Sequence, residues 1–265
     1  MHYRDQLYNE YISKFKEINE PISLTTLDRL ANSYKKTIIQ PFFPEDRGIR
    51  ILDLGCGYGP LLFACAQLGY KNLIGVDNSP EQVALAERLG IGNIGEIIQR
   101  DIFKFLRQVK IKYDVITAID VLEHFTKKEI MILVPLIYAL LKPDGLFVIR
   151  SVNGESPFMG RWLYGDFTHE LCFTRNTLQQ LLLGVGFCEV RCFEVPPMVH
   201  GFFSGVRAFL WRIISSFLRL CVVIEGGNWR DRPIFSFNII GVARKNLNSP
   251  HGLPVQNNLH QNMIR

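Results

Sequence analysis

The chain has 265 residues, room for one large domain or two small ones. With 48% hydrophobic and 21% charged residues it has the balance of a folded globular protein, which excludes wholesale disorder. A net charge of +5 is too mild for a nucleic-acid footprint, and no unbroken run of ~20 apolar residues exists to cross a bilayer, although the mean hydropathy, +0.09, is high.

Residues 1 to 47 carry seven Lys/Arg and seven Asp/Glu among helix-spaced apolar positions. Ile22, Leu24, Leu27, Leu30 and Tyr34 predict a helix ended by Pro41 and Pro44, a helical prelude to the main domain. The opening MHYRDQLYNEYISKF has no apolar h-region, so it does not read as a secretory signal.

From Arg50 the pattern becomes strand, turn, helix, repeated. Strands are predicted at Arg50 to Leu54, Asn72 to Val76, Ile94 to Gln99, Tyr113 to Ile119 and Leu146 to Val152. Helices are predicted at Pro60 to Leu68, at Pro80 to Leu89 with Ser79 as N-cap, and at Lys127 to Leu141, the last ending at Pro143-Asp144-Gly145. A helix at Thr174 to Leu183, closed by Gly184 or Gly186, precedes strands at Phe187 to Val195 and Ile234 to Ala243. Apolar strands alternating with helices imply an α/β domain over 48–245: a Rossmann-like, mostly parallel seven-stranded sheet with helices on both faces. Residues 246–265, with five Asn and two Gln, have little to bury and are expected to be a disordered tail.

Six cysteines (Cys56, Cys65, Cys172, Cys188, Cys192, Cys221) show neither CxxC nor zinc-ligand spacing. They read as free thiols of a reducing cytoplasm, with contact to the inner face of a membrane left open.

The sharpest signal is Asp53-Leu54-Gly55-Cys56-Gly57-Tyr58-Gly59, between a buried strand and a helix, where open α/β sheets bind ligands. The spacing is GxGxG rather than the GxGxxG of a dinucleotide site, and the preceding acid suits an ammonium-bearing ligand better than a diphosphate. Asp77, in Gly75-Val76-Asp77-Asn78-Ser79, ends the second strand, where a carboxylate can accept both ribose hydroxyls. Asp101 follows the third strand and can accept from an adenine amine while Ile102 packs on the ring; an N-cap role is the alternative.

With these residues in order, the chain resembles the class I S-adenosylmethionine-dependent methyltransferases over about 50 to 195. The resemblance implies a last strand running antiparallel and S-adenosylmethionine as cofactor. It implies that Asp53, Gly55, Cys56 and Gly57 line the methionine end, Asp77 and Asn78 the ribose, Asp101 and Ile102 the adenine, with Asp120 after strand four. Asp120-Val121-Leu122-Glu123-His124 is similar to the LEH signature of small-molecule O-methyltransferases of the ubiquinone type. The stretches Ser151 to Pro157 and Tyr164 to Glu170 resemble enzymes that methylate glycans in polysaccharide and lipid-glycan assembly.

The expected reaction is O-methylation of a sugar hydroxyl on a glycan or lipid-linked saccharide, with a phenolic quinone precursor as the alternative acceptor. A noncatalytic S-adenosylmethionine-binding regulator is the reading from another class. A hydroxyl must lose its proton to a base. His169 is the first candidate, with Asp166 or Glu170 orienting its ring, and His124 the second. Asp120, Glu123 and His124 are poorly spaced for a metal, and none is assigned.

The insert 196–232 is far longer than a hairpin needs. On a helical wheel Phe202, Phe203, Phe209, Leu210, Ile213, Ile214, Phe217, Leu220 and Cys221 share one face, while Ser204, Arg212, Ser215, Ser216 and Arg219 gather opposite. Five arginines and two acids between 200 and 232 leave +3 there. Residues 202–224 therefore read either as an interfacial membrane helix or as an amphipathic helix covering the sheet or sealing a dimer.

Overall fold

The computed structural model describes Leu7 and residues 22–195, 197–199, 201–226 and 233–247. The chain builds one seven-stranded sheet in the order β3-β2-β1-β4-β5-β7-β6. Its strands are β1 (Arg50–Leu54), β2 (Asn72–Asp77), β3 (Glu96–Gln99), β4 (Tyr113–Ile119), β5 (Leu141–Val152), β6 (Phe187–Glu194) and β7 (Asn238–Lys245). The first five pair in parallel, and β7 runs antiparallel between β5 and β6, as the resemblance implies.

Why the inner strands β1, β4 and β5 are largely apolar is visible in the side-chain alternation. Ile51, Val115, Leu146 and Val148 point into one core layer, while Leu52, Ile116, Phe147 and Ile149 point into the other. Period-two alternation between two buried layers leaves no solvent-facing position to carry a polar residue.

One layer is closed by α1 (Leu24–Tyr34), α2 (Pro60–Gln67) and α3 (Pro80–Arg88). The other is closed by α4 (Ile102–Gln108), α5 (Lys127–Leu140) and α7 (Arg175–Val185), with the short α6 (Met159–Leu163) on the β5–α7 connection. Helix α8 (Phe202–Gly226) joins β6 to β7.

Capping fixes several starts. Ser79 accepts from Gln82 N with Pro80 following, Thr126 and Glu129 form a capping box for α5, and Gly186 ends α7 in the left-handed region.

The structure corrects the sequence reading at several points. Pro41 does not end the first helix: a π-helical turn at Lys35–Ile39 leads without a break into Gln40–Phe42, so the helical backbone runs through the proline, which supplies no N–H to it. Helices α4 and α6 were not expected. In α4, Ile102, Phe105 and Leu106 are buried at helical spacing behind the cap Asp101. The long helix ends at Leu140, and β5 begins at Leu141, before the Pro143-Asp144-Gly145 turn, through a register shift against β4. The last strand starts at Asn238 rather than Ile234. The carbonyls of Ile234 and Ser236 are held by the Asn153 amide (2.6 and 2.7 Å) in place of a strand neighbour. The predicted tail from Asn248 onward lies outside the described residues.

Candidate active site

All the predicted site residues gather at the carboxyl edge of the sheet, around a cavity of about 980 Å³. The cavity straddles β1 and β4, where successive crossovers leave in opposite directions, the expected ligand position in an open α/β sheet.

Its first wall is mostly backbone. Gly55, Gly57 and Gly59 have φ of +66°, +55° and +85°. At Gly55 any Cβ would come within 2.5 Å of Val121 Cγ2, so the residue must be glycine for two independent reasons. The loop is fastened to β2. Gly55 N and Cys56 N donate to Val76 O, and Gly57 N donates to Asp77 Oδ2 at 2.8 Å. The other Asp77 oxygen accepts from Ser79 N, also at 2.8 Å. Asp77 thus sets the shape of two loops while facing the cavity beside Asn78.

Cys56 is buried, which pushes its thiol well above the ordinary range, so its contribution to the wall is packing rather than nucleophilic chemistry. Asp101 does cap α4, accepting from Lys104 N at 2.9 Å, and with Ile102 it also lines the cavity. The carboxylate that caps the helix is thus also on the cavity wall.

Asp53 lies on the cavity floor, buried, accepting from Thr117 Oγ1 at 2.6 Å. Burial pushes its carboxyl up to about 7, opposed by the Thr117 hydrogen bond and reinforced by Asp77. Gln82 lines the same cavity with Oε1 buried and unpartnered. An orphan acceptor and a half-protonated acid are what a ligand bearing an ammonium group and hydroxyls would satisfy, so these residues fit S-adenosylmethionine.

The second wall consists of side chains from the ends of β4 and β5. Asp120, at φ +57°, makes a bidentate ion pair with Arg150, and Arg150 Nη2 also donates to Tyr34 Oη at 3.2 Å. The guanidinium carbon lies 4.9 Å from the centre of the Tyr34 ring, so α1 belongs to the wall. Burial and the adjacent Asp120 hold the Glu123 carboxyl above its usual range, and Ser151 Oγ donates to it at 2.8 Å.

The two predicted histidines meet here, with ring centroids 4.7 Å apart. Thr168 gives its hydroxyl proton to Asp166 Oδ1 (2.6 Å), so its oxygen accepts from His124 Nδ1 at 2.8 Å. That network assigns the His124 proton to Nδ1. Burial, with His169 alongside, lowers the His124 pKa to about 4, so the ring is neutral at pH 7. His169 Nδ1 donates to the Trp162 carbonyl at 2.9 Å, which leaves Nε2 as its lone-pair nitrogen. Asp166 therefore steers His124 through Thr168, and the hydrogen bond orienting the His169 ring comes from Trp162. Tyr34, Gln82, Arg150 and Trp162 carry no motif that marks them in the sequence as ligand or base positions, and Glu123 is weighed there only as a metal ligand. Arg150 carried a signal, a charge interrupting the apolar run Leu146 to Val152. Among the described residues no three His, Cys, Asp or Glu side chains are grouped to hold a metal ion.

Residues 27–190 match the model of the methyltransferase-domain family, and the chain belongs to that family. Its sheet order is that of the class I S-adenosylmethionine-dependent methyltransferases. A solved S-adenosylmethionine-dependent methyltransferase from Archaeoglobus fulgidus superposes with a TM-score of 0.61 at 23% identity, over 83% of this chain and 94% of that one. Among curated proteins, the ubiquinone biosynthesis O-methyltransferase of Rhodopseudomonas palustris (strain TIE-1) is 30% identical over 106 residues, 40% of this chain and 41% of the relative. The cyclopropane-fatty-acyl-phospholipid synthase of Escherichia coli (strain K12) is 25% identical over 123 residues, 44% of this chain and 31% of the relative. The chain thus spans well under half of these curated relatives.

Proposed function

We propose that the protein transfers a methyl group from S-adenosylmethionine to a hydroxyl, most readily a sugar hydroxyl of a glycan or lipid-linked saccharide. The observation that carries this reading is the pairing of His124 and His169 in the same cavity as the glycine loop and Asp77. Bound S-adenosylmethionine supplies the methyl group on a positively charged sulfur. Asp53 and Gln82 would hold its amino-acid end, Asp77 its ribose, and Asp101 with Ile102 its adenine.

In-line transfer forms a C–O bond, breaks a C–S bond and releases one proton from the acceptor, so positioning and proton removal are what the protein must provide. His169 takes that proton at Nε2, and the Trp162 carbonyl stabilises the cation that results. His124, held neutral and too weak a base at pH 7, orients the acceptor hydroxyl.

A phenolic quinone precursor is the second reading. It is favoured by the aromatic side chains Phe103, Phe125 and Trp162 in the wall and by the ubiquinone-type relative. Methyl-donor consumption measured with lipid-linked saccharides, nucleotide sugars and dihydroxyphenols separates the readings. Turnover with saccharides is expected, and turnover confined to phenols transfers the assignment. Cofactor binding without turnover on any acceptor class would favour the regulatory reading.

A further inference from the structure

Helix α8 leaves the sheet at the edge where the cavity opens. Strands β5 and β6 both pair antiparallel with β7, so the end of β6 and the start of β7 lie at the carboxyl edge, and Asn238, the first residue of β7, lines the cavity. Arg219 bridges to Glu194 at the end of β6 (2.8 Å), which ties the helix to this edge, and Arg207 donates to Met198 O (3.3 Å) in the connection that leads from β6 to the helix.

The helix buries little of itself: Ser215 and Val223 are its buried residues, and the broad apolar stripe is turned away from them. Ser215 is buried, with its hydroxyl satisfied by Trp211 O at 2.7 Å, and the small residues Ser204 and Ala208 share its face. Phe202, Phe203, Phe209, Ile213, Phe217 and Ile224 are each more than half exposed. The sheet therefore does not account for the apolar stripe, as it would for an ordinary covering helix. At 100° per residue, Arg207 falls beside one margin of that stripe and Arg212 lies about 60° beyond the other, at the edge of the exposed arc; both are exposed. More apolar surface stands at the same edge: Trp162 packs on Phe237 (centroids 5.1 Å apart), and the nearby Phe167 is 85% exposed. No helix among the described residues is long and apolar enough to cross a membrane.

We propose that α8 docks the protein on an anionic bilayer surface. It lies in the interface, with the phenylalanine and isoleucine stripe among the acyl chains and Arg207 and Arg212 at the phosphates. Charge selects this occupant. A second copy would set positive margins against positive margins, whereas anionic headgroups complement both. Because the helix springs from the edge that carries the cavity, docking brings that edge near the lipid, where an acceptor on a lipid carrier would enter. The docking itself goes beyond the methyl-transfer reading and does not depend on which hydroxyl is methylated.

The test is sedimentation of the full chain with vesicles of phosphatidylcholine alone and of equal parts phosphatidylcholine and phosphatidylglycerol. Strong binding to the mixed vesicles and weak binding to the neutral ones is expected. The pair Phe209→Ser and Ile213→Ser, at exposed positions, should abolish it. Arg207→Gln with Arg212→Gln should weaken it about thirtyfold, from ~1 kcal/mol per arginine near a charged surface. Unchanged S-adenosylhomocysteine affinity in both variants reports an intact fold and separates a failure here from a failure of the cofactor assignment. Equal supernatant fractions with and without vesicles would overturn the proposal. A dimer in solution that Phe209→Ser with Ile213→Ser dissociates, with no vesicle binding, would give the face to a second copy.

Discussion

The two walls of the cavity are made differently. The wall after β1, β2 and β3 is shaped by the main chain: three glycines at positive φ, loop amides hung on Val76 and Asp77, and a cap at Asp101. The wall after β4 and β5 is shaped by side chains from distant segments, with His124 reaching Thr168 across 44 positions and Arg150 reaching Tyr34 across 116. A pocket shaped by backbone cannot be altered without reshaping the loops that hold the sheet's edge. A pocket built from side chains on long connections can change its substrate without disturbing the sheet.

That contrast can be broken by experiment, and the largest effect belongs to the side-chain wall. His169→Ala should lower kcat by about 10²–10⁴-fold, the usual contribution of a general base, while cofactor affinity in calorimetry stays nearly constant. His124→Ala should cost less in kcat and raise KM, because it positions rather than accepts. Turnover of His169→Ala within a few-fold of wild type would remove it as the base.

On the backbone wall the order reverses. Asp77→Ala should weaken cofactor binding by about 1–3 kcal/mol, through lost charge-assisted hydrogen bonds and a released glycine loop. Unchanged affinity would take Asp77 out of the site.

A pH effect comes next. With its carboxyl pushed up to about 7, Asp53 is partly protonated in the empty protein, and an ammonium group beside it favours the carboxylate. Binding then expels a proton, so affinity is flat above about pH 7 and falls below it by up to roughly tenfold per unit. Asp53→Asn should flatten the curve; a curve that stays steep would place the titrating group elsewhere.

The smallest effect separates the two duties of Asp101. Asp101→Ala should cost about 1 kcal/mol of stability as a lost N-cap, read as a lower Tm. Asp101→Ser keeps a cap, so stability should recover while cofactor affinity stays reduced. Full recovery of affinity would leave Asp101 only the cap.

How much was legible follows the same division. Glycines, strand-end acids and caps are local patterns, so β1 through β4 and the residues that line the backbone wall could be read from residues a few positions apart. The pairing of His124 with His169 depends on where the chain after β5 returns, and no local period encodes that. Helix α4 is hard to read locally because at seven residues it shows barely two turns, with Lys104 between its buried positions. Tyr34 was placed in a prelude outside the domain, yet Leu27, Ala31 and Ile38 share one apolar cluster with Ile51 and Leu61 of the sheet and its first helix. The wheel of 202–224 separated the two faces correctly in outline. Which face turns outward was settled by Ser215 being buried and Phe203 being 87% exposed.

The central claim is that the cavity across β1 and β4 is built for S-adenosylmethionine. Calorimetric titration of the purified chain with S-adenosylhomocysteine tests it directly. Stoichiometric binding that weakens in Asp77→Ala is the predicted result; no heat of binding to folded wild-type protein would contradict it.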